Sequence, residues 1–152
     1  MGYYVHQADA RFRIKRENIP AALDAIKKLF EPDREEEQRP RYAWVDEDCA
    51  KASTLEEALE FWGIEAHLDD NGDVDEVIRG REKLGDELTL FTVLAPFVEH
   101  ESYIEFVGED DNRWRWVFLW GECREEYPSI VWPYMNNLPM RELVRASGEG
   151  TP

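Results

Sequence analysis

The sequence predicts an α+β domain: an antiparallel sheet of about five to six strands with three helices packed on one face. Two observations carry this. Strand-like stretches follow one another across tight-turn signals, which forces antiparallel pairing. Three other segments place apolar residues at helical spacing, and each leaves one stripe that needs a surface to cover. The predicted order is strand, helix, short strand, helix, two strands, helix, three strands.

The first strand is expected over residues 3–14, with Tyr3 and Val5, then Phe12 and Ile14, at alternate positions. The first helix follows. Asn18 can cap it, Pro20 suits its first turn, and Leu23, Ile26, Leu29 and Phe30 form its apolar stripe. Lys27 and Lys28 fall in its last turn, where the helix dipole favours cations. Residues 31–41 form a polar loop between Pro32 and Pro40, and residues 42–45 suggest a short returning strand. Thr54 and Glu57 then form a capping box ahead of Leu55, Ala58, Leu59 and Trp62, and Gly63 ends that helix. Ile64, Ala66 and Leu68 alternate with polar residues, Asp70-Asn71-Gly72 signals a hairpin, and residues 74–78 return.

The third helix is expected from about Asp86, with Leu88, Phe91, Leu94, Ala95 and Val98 on one side and Pro96 kinking its last turn. Strands at 102–107 and 113–120 follow, then a turn at Gly121-Glu122. A last strand is expected at 126–132, with Pro128 marking an edge. Residues 133–145 have a weak helical pattern. One domain over residues 1–145 with a disordered tail at 146–152 fits this length.

Charge is distributed unevenly. Residues 44–78 hold twelve acids and one base, a local −11 within a total of −16, while residues 1–30 are net +3. The acidic segment repels nucleic acid and anionic membrane and attracts basic protein surfaces. The partner-binding candidates are therefore Asp46, Glu47, Asp48, Glu56, Glu60, Asp69, Asp70, Asp73 and Asp75. No stretch approaches the length of a membrane span, and residues 1–6 lack signal-peptide features, so a cytoplasmic location is the expectation. Cys49 and Cys123 form no CxxC motif and read as two reduced thiols.

Several segments together resemble a group of small soluble proteins found in bacteriophages and actinobacterial genomes. They are the opening Met1-Gly2-Tyr3-Tyr4-Val5, Trp44-Val45-Asp46 before Cys49, and the 55–63 helix leading into Asp70-Asn71-Gly72-Asp73. The clearest is Tyr103-Ile104-Glu105-Phe106-Val107-Gly108-Glu109-Asp110 followed by Arg113-Trp114-Arg115-Trp116-Val117-Phe118. The resemblance covers most of residues 1–132 and departs from the pattern at 31–41. The group has no assigned activity and offers no functional residues. It implies a small accessory protein of a phage or mobile element.

No catalytic constellation is complete: His6, His67 and His100 are scattered, and no nucleophile-elbow or phosphate-loop motif occurs. No catalytic residue, cofactor or metal site is assigned. The acids around Asn71-Gly72 fail calcium-loop spacing, because with Gly72 at position six, positions one and twelve are His67 and Ile78. A solvated turn accounts for them. Trp114, Trp116, Phe118 and Trp120 share one strand face and are expected to be core. Trp132 and Tyr134 are expected in an exposed aromatic patch, and Glu105 is placed to pair with Arg115 across a hairpin.

Three functional readings follow. The first is a non-catalytic protein whose acidic face docks on a basic, nucleic-acid-binding protein surface, with carboxylates standing in for phosphates. The second is an enzyme or small-ligand binder with a pocket between the sheet and the 31–41 loop, using Trp44, His67 or Arg115. The third is a homo-oligomer in which the basic 11–28 segment meets a neighbour's acidic 46–76 segment.

Overall fold

The first strand changes phase midway, and this shapes the whole sheet. In the computed structural model, which describes residues 3–31 and 42–136, β1 (Val5–Arg11) pairs antiparallel with β4 (Ser102–Gly108). The register shifts between Gln7 and Asp9, so Ala8 is an extra residue, a β-bulge. The bulge moves the inward positions from Val5 to Phe12 and Ile14, all buried. It explains why the apolar residues of residues 3–14 follow two alternations rather than one.

α1 (Ile19–Lys28) begins after a 3-10 turn at Arg16–Asn18. Asn18 occupies the cap position, but its side chain makes no capping bond. α2 (Leu55–Phe61) is capped as expected: Thr54 Oγ1 accepts from Glu57 N at 3.1 Å. Glu57 reaches back one residue further than a standard box, accepting from Ser53 N at 3.1 Å. α3 (Glu87–Leu94) gives way to a 3-10 turn at Ala95–Phe97, where Pro96 lacks the amide that an α-helix needs.

The strands form two antiparallel sheets rather than the single sheet expected from sequence. β1, β4, β5 (Arg113–Leu119) and β6 (Glu122–Glu126) make a four-stranded sheet in the order β1-β4-β5-β6. β2 (Ile64–Leu68) and β3 (Val74–Arg79) make a separate hairpin. Hydrogen bonds fasten the two sheets together. Ile14 and Val74 exchange both backbone bonds, at 3.0 and 2.8 Å. At the bulge, the Gln7 side-chain amide stands in for a peptide group, donating to Val77 O at 2.8 Å and accepting from Arg79 N at 2.9 Å.

Two further expectations are corrected. Residues 42–45 are bends and turns, not a strand: Trp44 has φ 60° and is exposed, while Val45 is buried. The last strand is Glu122–Glu126, not 126–132, because Trp120 and Gly121 both adopt positive φ and close a two-residue hairpin turn. After it residues 127–132 have no regular secondary structure and are exposed, up to a single helical turn, α4 (Pro133–Asn136). The rest of the weak helical pattern, the 146–152 tail and the 32–41 part of the polar loop lie outside the described residues.

One apolar core joins these parts. Phe91 of α3 meets Phe12, Trp116 and Phe118 at ring-centroid distances of 5.8, 5.7 and 6.0 Å. Leu55, Leu59 and Trp62 of the α2 region, Ile26 of α1, and Val74 and Val77 of β3 belong to the same cluster. Trp114, Trp116 and Phe118 are thus core, as expected. Trp120 leaves the strand at the turn and is 78% exposed.

Candidate protein-docking site

A shallow hollow of about 400 Å³ lies between α2 and the β2–β3 hairpin. Glu56 and Glu60, one helical turn apart, form one wall, and Glu65 of β2 stands on the other side. Ile78, the cross-strand neighbour of Glu65 and 41% exposed, supplies apolar surface there, while Ile64 and Ala66 border the hollow from strand positions that face the core. Among the described residues neither Glu56 nor Glu60 pairs with a cation. Glu65 is in contact with the His67 ring.

The sequence sets this geometry locally. Gly63 takes φ +75°, turning the chain directly from α2 into β2. A Cβ there would lie 2.6 Å from the Arg81 side chain, so the position is closed sterically as well. Arg81 Nη2 donates to Phe61 O and Trp44 O, both at 2.7 Å, satisfying a carbonyl at the end of α2. Burial lowers the pKa of Arg81 from its ordinary value.

The nine predicted acids divide into four groups. Asp69 and Asp73 are committed within the fold: Arg13 Nη1 donates to Asp69 Oδ2 at 2.9 Å and Asp73 Oδ2 at 3.1 Å. Asp69 Oδ1 also accepts from the backbone of Asn71 and Asp73, and Asp73 Oδ1 from Arg16 N. The Arg13 bond, with help from the two amides, holds the Asp69 carboxyl below the usual carboxylate range, and Asp69 raises Arg13 in return. The carboxylates of the turn are therefore directed onto a guanidinium.

Asp46 caps the 3-10 turn at Glu47–Lys51 by accepting from Asp48 N at 2.8 Å, and Asp48 pairs with Lys51 at 3.4 Å. Glu47, Asp70 and Asp75 are exposed. Glu56 and Glu60 alone of the nine line the hollow. Glu65 was not among the predicted docking residues; its place beside them follows from the tight Gly63 turn, which could have suggested it.

Other sequence features are absorbed by the structure. Cys49 is fully buried, and burial pushes its thiol up to about 11, with Glu57 adding to the shift while Trp62 opposes it. Desolvation outweighs the neighbouring charge. Burial likewise takes Cys123 to about 11. His100 Nδ1 accepts from Trp120 N at 3.2 Å, and its ring lies 3.9 Å from the Trp120 ring. Glu99 faces Arg13 at 3.6 Å. Glu105 pairs with Arg115 as expected, at 2.9 Å, and also with Arg113 at 2.8 Å. Trp132 and Tyr134 are each 74% exposed. No hydrogen bond, ion pair or ring contact joins Trp44, His67 and Arg115, and no helix among the described residues is long and apolar enough to cross a membrane.

No family model matches this chain, and no curated protein or solved structure matches it.

Proposed function

We propose that this is a binding protein whose acidic face docks on a basic protein surface, with the hollow beside α2 as its centre. The observation that carries the reading is the combination of Glu56, Glu60 and Glu65 with exposed apolar surface at Ile78, the cross-strand neighbour of Glu65. A lysine or arginine side chain has the complementary form, an aliphatic stem ending in a cation. In the phage or mobile-element setting that the resemblance implies, the basic surface belongs to a nucleic-acid-handling protein, and the carboxylates occupy phosphate positions. Glu47, Asp70 and Asp75 add long-range attraction rather than contacts.

Self-assembly through the basic 11–28 segment has less support. Arg13 is already paired with Asp69 and Asp73 of its own chain, Lys27 Nζ donates to Ala52 O at 3.1 Å, and Lys28 pairs with Asp24 at 3.2 Å.

The test compares two charge reversals of equal size. One is Glu56→Lys with Glu60→Lys in the hollow; the other is Glu82→Lys with Glu109→Lys, both exposed and outside it. Binding of an arginine-rich peptide is measured over a salt series. The hollow pair should lose at least about tenfold more affinity than the control pair. Equal losses would reduce the acids to a general field that keeps the protein soluble.

A further inference from the structure

β6 is a border strand of the four-stranded sheet, and the chain passes directly from it into its longest uncharged stretch, residues 127–140. Tyr127, Ile130, Val131, Trp132 and Tyr134 are all exposed, nearly half of the large apolar side chains exposed among the described residues. An apolar arm of this kind on a chain of −16 marks a surface that another apolar surface covers. The open side of β6 presents a row of unpaired backbone groups beside it.

The hairpin fixes which backbone groups of β6 are open. Phe118 O accepts from Glu101 N at 2.8 Å, so the backbone of Phe118 faces β4 and that of Leu119 faces β6. Leu119 pairs with Glu122 across the two-residue turn at Trp120-Gly121. By alternation, Glu122, Arg124 and Glu126 bond to β5, while the N–H and C=O of Cys123 and Glu125 face outward. Continued along an extended arm, the outward positions are Tyr127, Ser129 and Val131, each with an amide to donate. Pro128 falls between them, where its missing N–H takes nothing from the outer border.

One symmetric register uses the open border and the apolar arm together. With two copies antiparallel about a two-fold axis at Tyr127, the arm of each lies along β6 of the other. Cys123 then faces Val131, Glu125 faces Ser129, and Tyr127 faces its own mate. Glu122, Arg124 and Glu126 face Trp132, Ile130 and Pro128. Every charged residue of β6 meets an uncharged one, so the pairing sets no like charges opposite each other in a strongly acidic chain. Cys123, half-buried beside Phe118, gains an apolar cover in Val131. The exposed Trp120 comes level with the exposed Tyr134 of the second copy. We propose that the protein forms a two-fold dimer by exchange of arms, residues 127–132 of each copy adding as a strand to β6 of the other. Residues 122–132 of each copy make the contact, fewer than the roughly 20–30 a side of a standard interface, which suits micromolar association. Glu56, Glu60 and Glu65 take no part in it, so it is independent of docking at the acidic hollow.

Sedimentation equilibrium between about 1 and 200 µM should show the mass of the chain doubling with concentration. Added salt should not weaken the dimer, in contrast to binding at the acidic hollow. Val131→Pro removes an outward amide and should weaken the dimer at least about tenfold more than Ile130→Pro, whose lost amide faces the other way. Both positions are exposed, so the monomer should keep its fold, which circular dichroism checks. Oxidation reads the register. Tyr127→Cys in a Cys123→Ser background should give a disulfide-linked dimer, because facing residues of a hydrogen-bonded antiparallel pair stand about 5.5 Å apart. A chain that stays monomeric throughout, equal losses from the two prolines, or oxidised dimers joined through native Cys123 and not through position 127 would each overturn the proposal. A monomer that floats with neutral phosphatidylcholine vesicles assigns the arm to a lipid surface and overturns it too.

Discussion

Arg79 Nε donates to Glu87 Oε1 at 2.9 Å, with the two side chains 2% and 1% exposed. The pair locks β3 to the start of α3. Arg79 Nη1 also donates to Val5 O at 3.0 Å and Arg81 O at 2.8 Å, and Nη2 bonds to Lys83 O. Glu87 Oε2 accepts from Gly85 N at 2.6 Å. The loop between β3 and α3 is thus wrapped around one guanidinium whose donors are nearly all used.

Removing one member leaves a buried charge alone. Glu87→Ala should destabilise the fold by about 3–5 kcal/mol, read as a lower urea midpoint. The double variant Arg79→Met with Glu87→Leu should recover much of that loss, because an apolar pair of similar volume avoids the desolvation cost. A Glu87→Ala loss below about 1 kcal/mol would mean that the carboxylate is not what neutralises Arg79.

Gly63 and Gly72 should respond differently to alanine. Both have positive φ, +75° and +85°. A Cβ at Gly63 meets Arg81 at 2.6 Å, while one at Gly72 comes no closer than 3.1 Å, to the flexible Arg16 side chain. Gly72→Ala should cost about 1–2 kcal/mol from backbone strain alone. Gly63→Ala should cost more, and should also loosen the Arg81 bonds at the end of α2. Equal thermal shifts for the two would argue against the steric contribution.

Acid should weaken the molecule partly through Asp69. Its folded pKa lies below the ordinary 3.8, chiefly because of Arg13. As pH falls, the unfolded chain takes up this proton first. The stabilisation is present above the unfolded value and is lost as pH drops through the folded one. Asp69→Asn retains an acceptor for the turn amides but removes the charge. Its stability should therefore fall less steeply than the parent's on acidification below about pH 4. Parallel acid curves would show that Asp69 is not linked to folding.

Both thiols should be slow to react. At about 11, each leaves roughly a hundredfold less thiolate at pH 8 than a thiol of pKa 9. A disulfide reagent should titrate both cysteines promptly in urea and neither promptly in the folded protein. Fast labelling of Cys123 alone would show that β6 opens at its end.

The legible parts of this chain were those where local chemistry decides. Thr54 and Gly63 delimit α2, Asn71-Gly72 reverses the hairpin, and alternation along β5 separates Trp116 from Arg115. The missed parts depend on residues distant in sequence. Glu87 reads as a solvated helix-start acid until Arg79 is seen opposite it. Leu88, assigned to the inner side of α3, is exposed because Glu87 takes the buried position beside it. Gln7 is an ordinary polar residue until the bulge turns its amide onto β3. Trp120 continues the aromatic alternation, yet the turn removes it from the sheet. In the candidate site, the acid-rich segment was evident, but Asp69 and Asp73 could not be separated from Glu56 and Glu60 without knowing where Arg13 lies.

The charges of β6 have a consequence for how copies of this protein meet. The strand ends the four-stranded sheet, leaving one side of Glu122–Glu126 without a neighbouring strand. Were a second copy to add there in two-fold antiparallel fashion about Arg124, Arg124 would face Arg124 and Glu122 would face Glu126. Every charged cross-strand pair in that register repels its mate. In that centred register the arrangement Glu-Cys-Arg-Glu-Glu opposes self-pairing by the position of its charges rather than by their total, whereas a shift of one residue would set Glu122 against Arg124, so the order of charges along β6 selects which register two copies could share.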